Sequence, residues 1–332
     1  MTEFGIEFVP KDPYWKTTFY AMQAEKKGFN NLWITDHFNN RNVYTSLATV
    51  AVYTERIKFG PGVTNPYQIH PVVTAQAVAS LNEIAPNRVI CGLGVGDKTT
   101  LEMANIEQSK PLATIREAAQ IIREMCAGKS VQLDGEVFKI KDAKFNFKTT
   151  NPIPIFIGAQ GPKMLAMAAE IGDGVLVNAS HPKDVENAMT HIKEGATKAG
   201  KALDQLTISV YTSFSIAADM EKAMKAVVPV AAYIVAGSPE LILQRHGIST
   251  EKAGQIRDAI VHGKWKEAFA QVTPEMIEAF SICGTPEIVA EKIAQLAKIG
   301  ATQIVAGSPI GPNMRKSINM IAAEIFPRFK EG

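Results

Sequence analysis

Five stretches of this 332-residue chain carry residue types and spacings that can do chemistry. In Phe4-Gly5-Ile6-Glu7-Phe8-Val9 a single carboxylic acid sits inside an apolar run. An acid so placed is costly to bury unpaired. Burial would raise its pKa, so Glu7 is a candidate general acid; a structural, ion-paired glutamate is the competing reading. In Thr35-Asp36-His37-Phe38, Asp36 can accept hydrogen bonds from the ring N–H groups of a ligand, cap the next helix, or orient His37. His37 itself reads as structural. Phe59-Gly60-Pro61-Gly62-Val63-Thr64-Asn65-Pro66 places two glycines around a proline, which marks a sharp backbone excursion. It is either a plain turn or a bulge pressed against a flat ring, where only small residues let backbone approach. Gly92-Leu93-Gly94-Val95-Gly96-Asp97 superficially resembles a dinucleotide loop, but its spacing is GxGxG rather than GxGxxG. It leaves space, with Gly94 at its centre and Asp97 as a polar group beside it. Gly158-Ala159-Gln160-Gly161-Pro162-Lys163 opens a helix, since Pro162 suits a first turn. Free N–H groups there make an anion site, suited to phosphate.

Each stretch ends or follows an apolar run of strand character. Expected strands are Phe4–Val9, Asn31–Thr35, Ile57–Gly60, Arg88–Leu93, Pro154–Gly158, Gly174–Asn178, Leu206–Ile216 and Thr302–Ala306, each followed by a helical pattern. Several are apolar on both faces, as buried parallel strands are. About eight alternating units predict a (β/α)8 TIM barrel rather than an open doubly wound sheet, whose first turn would carry a glycine fingerprint. The first turn here, Val9-Pro10-Lys11-Asp12-Pro13, has none. Two stretches depart from alternation: an excursion at about 129–153, read as a hairpin around Asp134-Gly135, and a mostly helical one at about 217–299. Neither has linker composition, so the chain is read as one domain, 1–332. The string Ile-Val-Ala-Gly-Ser-Pro occurs at 234–239 and again at 304–309 without a period, so it is no repeat. In a barrel the chemistry gathers at the carboxyl ends of strands, where all five stretches fall.

Composition narrows the function classes. The hydrophobic fraction of 46% is ordinary for a globular protein. A formal net charge of +2 supplies no field for nucleic acid or an anionic membrane. The start of the chain lacks the pattern of a signal peptide, and no run is long enough to span a bilayer. Cys91, Cys126 and Cys283 are far apart and form no CxxC pair, which predicts reduced thiols in a cytoplasmic protein. The six histidines show no HExxH spacing, so no metal site is expected.

Taken in order, the five stretches resemble the luciferase-like superfamily of flavin- and deazaflavin-dependent barrels. The resemblance covers essentially the whole chain and is closest to the archaeal methylene-tetrahydromethanopterin reductases. It implies a luciferase-like TIM barrel that binds coenzyme F-420, an 8-hydroxy-5-deazaflavin, at the carboxyl ends of the strands. It also implies a non-prolyl cis peptide at Gly62–Val63 backing one face of the ring. Asp36 would contact the ring system or its side chain, Gly94 would lie at the site, and Gly158, Ala159, Gln160 and Gly161 would take the phosphate. The implied reaction, in methanogenesis, is reversible hydride transfer between F-420 and a tetrahydromethanopterin-type one-carbon carrier. Glu7 would protonate the departing nitrogen, and Asp97 would serve the pterin or assist Glu7. A homodimer or homotetramer is implied. The rival readings are an FMN-dependent luciferase-like monooxygenase, another F-420-dependent dehydrogenase, and a non-catalytic flavin-binding protein.

Overall fold

The computed structural model describes residues 2–149 and 151–330. Met1, Thr150, Glu331 and Gly332 lie outside the described residues, and with them those parts of the expected domain 1–332 and of the excursion 129–153. The described strands are β1 (Glu3–Phe8), β2 (Asn31–Ile34), β3 (Lys58–Pro61), β4 (Cys91–Leu93), β5 (Val131–Asp134), β6 (Lys139–Ala143), β7 (Ile155–Ala159), β8 (Gly174–Asn178), β9 (Thr207–Ile216), β10 (Ser281–Gly284) and β11 (Gln303–Ile310). Eight of them (β1, β2, β3, β4, β7, β8, β9 and β11) are the strands expected from the alternating runs.

The chain divides into two compact units. The larger comprises residues 3–178 and 187–209. Within it β1 pairs with β2 and β2 with β3, β4 pairs with β7 and β7 with β8, all parallel. Bridges at Phe59–Val89 and Thr64–Leu93 carry the run across from the β3 arm to the β4 arm. Register places Glu7 beside Trp33 and Trp33 beside Gly60, and on the other arm Gly92 beside Phe156 and Phe156 beside Gly174. Parallel register partners share a face. The Trp33 and Phe156 rings meet at 5.7 Å between centroids, although their strands are far apart in the run. Two such side chains meet only on the concave side of the sheet. Glu7, in register with Trp33, therefore shares the inward face.

The helices of this unit obey local rules. Tyr14–Lys27 stops at Gly28, whose φ of 90° is left-handed and whose N–H bonds back to Ala24 and Glu25. Pro71, Pro111 and Pro162 each open a helix, where the missing N–H costs nothing. The expected hairpin is present as the antiparallel pair β5–β6. It is clasped by Glu117, whose carboxylate accepts the N–H groups of Glu136, Val137 and Phe138. Glu25 does the same for the approach to β3, accepting from Glu55, Arg56 and Ile57 at 2.9, 2.6 and 2.8 Å.

The second unit comprises Thr2 and residues 179–186 and 210–332 of which the structure describes those to 330. Here β9 pairs in parallel with β10, from Ser213–Ser281 to Ile216–Gly284. Ser213 donates to the Ser308 carbonyl of β11. Helices Met220–Gly237, Thr250–Val261 and Pro274–Phe280 bury Val235, Ile256 and Phe280 in one apolar cluster. The region expected to be mostly helical thus also contains a strand. Four residues following a helix without a breaker carry no period by which β10 could be told from helix.

Glu25 supplies a test of how the larger unit is tied together. Burial pushes its carboxyl up, but the three N–H donors and Arg56 outweigh this and hold it below the usual range. A depressed carboxylate stabilises the fold above its unfolded pKa and loses that contribution as pH falls through the folded value. Glu25→Ala should lower the unfolding free energy by about 1–3 kcal/mol at about pH 7. The gap between wild type and variant in urea midpoints should close toward about pH 3. A gap of constant size would contradict this account.

Candidate functional site

Because the strands of the larger unit run parallel, their carboxyl ends gather on one side. Beyond β3 the chain turns through Gly62 and Val63, and the Gly62–Val63 peptide is cis, as the resemblance implied. Gly62 N–H donates to Ile34 O, Thr64 N–H to Gly92 O, and Gly94 N–H to Thr64 O. The excursion is therefore stitched to β2 on one side and to β4 on the other. The Val63 side chain settles against two glycines. A Cβ added at Gly94 would lie 2.7 Å from Val63 Cγ2, and one at Gly158 would lie 3.2 Å from Val63 Cγ1. Val63, Gly94 and Gly158, three expected binding residues from three strand ends, are thus in one contact group. Val63 remains partly exposed, so part of its surface is available to a ligand.

Asp36, just past β2, is buried and accepts from Thr64 Oγ1 at 2.7 Å. Burial pushes its carboxyl above the usual range, against the Thr64 hydrogen bond and the neighbouring His37. Burial likewise pushes His37 down, while the charges of Asp97 and Asp36 pull it up. Thr35 Oγ1 is buried and has no hydrogen-bond partner among the described residues. Asp97 is exposed and spends its carboxylate as a helix cap, Oδ1 accepting from the Thr100 N–H at 2.7 Å. The loop behind it is held by Gln108, whose Nε2 donates to Val95 O and Gly96 O.

Gly158 and Ala159 close β7, Gln160 is half-buried, and Gly161 is the exposed N-cap of helix Pro162–Ile171. No side chain caps that helix. Space at Gly161 is open: a Cβ there would meet nothing within 4 Å. Glu7 is buried one residue before the end of β1, on the inward face of the sheet. Structure thus brings Val63, Gly94 and Gly158 into contact and joins Asp36 to them through Thr64. It sets Glu7 deeper on the same side and leaves Asp97 at the rim. Thr64, Thr35 and Tyr44, whose hydroxyl donates to Thr64 Oγ1, are polar groups here that sequence reasoning gave no role. Only Thr64, directly after the glycine-proline excursion, carried a positional signal.

A flat ring with a hydrogen-bonding edge and a phosphate-bearing tail fits these residues. The bare backbone at Gly94 and Gly158 admits the Val63 side chain, whose partly exposed surface is what a ring could rest on. The Thr35 hydroxyl is an orphaned donor beside the Asp36 acceptor, and the uncapped helix start suits an anion.

Residues 9–303 match the family of luciferase-like monooxygenases. The fold is accordingly the luciferase-like (β/α)8 TIM barrel. Along its full length the chain is 51% identical to a 5,10-methylenetetrahydromethanopterin reductase of Archaeoglobus fulgidus, over 99% of this chain and 100% of that protein. It is 49% identical to the enzyme of that name from Methanolobus tindarius, over 97% and 99%. The structure of coenzyme F-420 dependent tetrahydromethanopterin reductase from Methanopyrus kandleri superposes with a TM-score of 0.94 at 43% identity, covering 99% of each chain. The chain belongs to the 5,10-methylenetetrahydromethanopterin reductase family.

The two kinds of glycine separate by substitution. Gly94→Ala must displace Val63 and should weaken F-420 binding about tenfold or more in a protein that still folds. Gly161→Ala should fold with a melting temperature within about 2 °C of wild type, because its φ of −81° suits any residue and the space is free. Titration of both variants with F-420, paired with thermal melts, checks this. Equal affinity in Gly94→Ala and wild type would count against the Val63 contact group.

Proposed function

We propose that this chain catalyses the F-420-dependent, reversible reduction of methylene-tetrahydromethanopterin to methyl-tetrahydromethanopterin, a one-carbon step of methanogenesis. The observation that carries the reading is the contact of Val63 with Gly94 and Gly158 at adjoining strand ends, in a chain related along its whole length to reductases of that name. When bound, F-420 supplies a hydride, and the protein's own task is alignment and proton handling. Gly62 and Val63 would back one face of the ring, and Gly94 makes room for the Val63 side chain that would do so. Asp36 offers an acceptor and Thr35 a donor to the ring's edge. Gly158, Ala159, Gln160 and Gly161 take the phosphate at the start of their helix.

Glu7 holds a proton for the nitrogen that leaves the bridging carbon of the substrate. Its inward, buried position keeps the carboxyl away from bulk water. Proton transfer to nitrogen breaks one C–N bond, and hydride arriving at the same carbon completes the methyl group. In the reverse direction Glu7 receives that proton. Asp97, at the rim, serves the pterin or assists Glu7. Holding two bound partners in one reactive pose contributes on the order of several kcal/mol.

The whole chain is taken to work as one barrel domain, with 129–153 and 217–299 as excursions. It is assigned to the cytoplasm as a homodimer or homotetramer. No helix among the described residues is long and apolar enough to cross a membrane.

Glu7→Gln tests the acid. Turnover of methylene-tetrahydromethanopterin with reduced F-420 should fall about 100-fold or more, while the F-420 Kd stays within about threefold. Near-normal turnover with intact coenzyme binding would remove Glu7 from the mechanism. Absorbance spectra separate bound F-420 from FMN and so test the coenzyme itself.

A further inference from the structure

A line of hydroxyl groups runs away from Asp36 into the protein. Thr64 Oγ1 donates to Asp36 Oδ2 at 2.7 Å. The Tyr44 hydroxyl donates to Thr64 Oγ1 at 3.3 Å. The Thr74 side chain is another polar neighbour of the Tyr44 hydroxyl. The four residues come from four places: the end of β2, the excursion after β3, helix Val43–Tyr53 and helix Pro71–Ile84. Thr64 and Thr74 are buried completely or nearly so.

Proton counting gives the line a direction. Each hydroxyl has one proton to donate. Burial pushes the Tyr44 phenol far above its ordinary range, so it keeps its proton and donates it to Thr64. The Thr64 proton then goes to Asp36 Oδ2, and that oxygen is permanently committed to the protein. Asp36 Oδ1 takes no hydrogen bond from the described residues.

We propose that Tyr44, braced by Thr74, is a positioning residue for the coenzyme ring. It sets the direction of the Thr64 hydroxyl and thereby dedicates Asp36 Oδ1 to one N–H or O–H donor on the ring's edge. This rests on the F-420 reading above. The line explains why an acid with little access to water is useful there: one oxygen is tethered and the other is presented in a fixed direction. The other titratable groups that bear on Asp36 are His37, itself influenced by Asp97 and Lys11, and Tyr44.

The test is a double-mutant cycle on coenzyme binding. Oxidised F-420 is titrated into wild type, Tyr44→Phe, Thr64→Val and the double variant, with thermal melts run alongside. Tyr44→Phe should weaken binding about fivefold and Thr64→Val about 20-fold. The double variant should be no weaker than Thr64→Val, because Tyr44 acts only through Thr64. The pH dependence of binding is a second readout. Losing or misdirecting the Thr64 hydrogen bond disfavours the charged carboxylate, so the acid limb of the binding profile should move to higher pH in Thr64→Val and, by less, in Tyr44→Phe. If Tyr44→Phe does not fold, Thr74→Val keeps the phenol, removes its brace and should weaken binding about two- to threefold. Unchanged affinity in the folded Tyr44→Phe or Thr74→Val variant, or additive losses in the cycle, overturns the proposal alone. No saturable F-420 binding by wild type overturns the coenzyme reading and this proposal with it.

Discussion

Contact between a valine side chain and two carbons that bear none is the constraint on which the strand ends depend. Val63 can sit where it does because Gly94 and Gly158 present bare backbone to its two methyl groups. That contact fixes where β3 leaves the sheet, and the ladder of bonds from Ile34 through Gly62 and Thr64 to Gly92 follows from it. Interiors pack at crystal-like density, so an extra methyl in this group has no slack to absorb it. Three strand ends are thereby set by side-chain volume rather than by charge.

Electrostatics then acts within that frame. Asp36 is buried among groups that only partly offset the loss of water, and its carboxyl is held high. A carboxylate in that condition has much to gain from one more donor. His37 feels the charges of both Asp36 and Asp97, and so links the buried part of the site to its rim. Glu7 lies on the face that carries Trp33 and Phe156. The buried carboxyl groups of Glu7 and Asp36 thus occupy different places, one within β1 and one just past β2.

Much of this was legible in the residues and some was not. The alternation of apolar runs and helical periods located all eight expected strands, with ends displaced by a few residues. β4 is shorter than its apolar run, whose first residues meet β3 only through the single bridge Phe59–Val89. The glycine-rich stretch after β4 looked like a weakened nucleotide loop. Its spacing of two instead reflects strand alternation: Gly92 faces Trp33 and Gly94 faces Val63, while Gly96 is needed for a φ of +76°. Asp97 carried a plausible polar role, but its carboxylate caps a six-residue helix that the loop pattern did not announce. Tyr44 and Thr74 were invisible as site residues because nothing local in a helix marks a hydroxyl that meets a partner 20 or more positions away. The division between the β9–β10–β11 region and the rest depends on long-range packing, to which a periodic pattern is blind.

The string Ile-Val-Ala-Gly-Ser-Pro has a consequence of its own. At 234–239 it finishes helix Met220–Gly237, and at 304–309 it lies within β11, where its Ser308–Pro309 bond is cis. Val235 and Val305 are both fully buried, so each copy is anchored by the same residue type in opposite conformations. Identical six-letter words therefore carry no conformational meaning here; their neighbours supply it. Exchanging the two hexapeptides would leave the gene product unaltered, whereas transplanting either with its flanks would not. Tolerance to substitution should accordingly track what surrounds each copy, and a substitution scored at one would be a poor guide to the other.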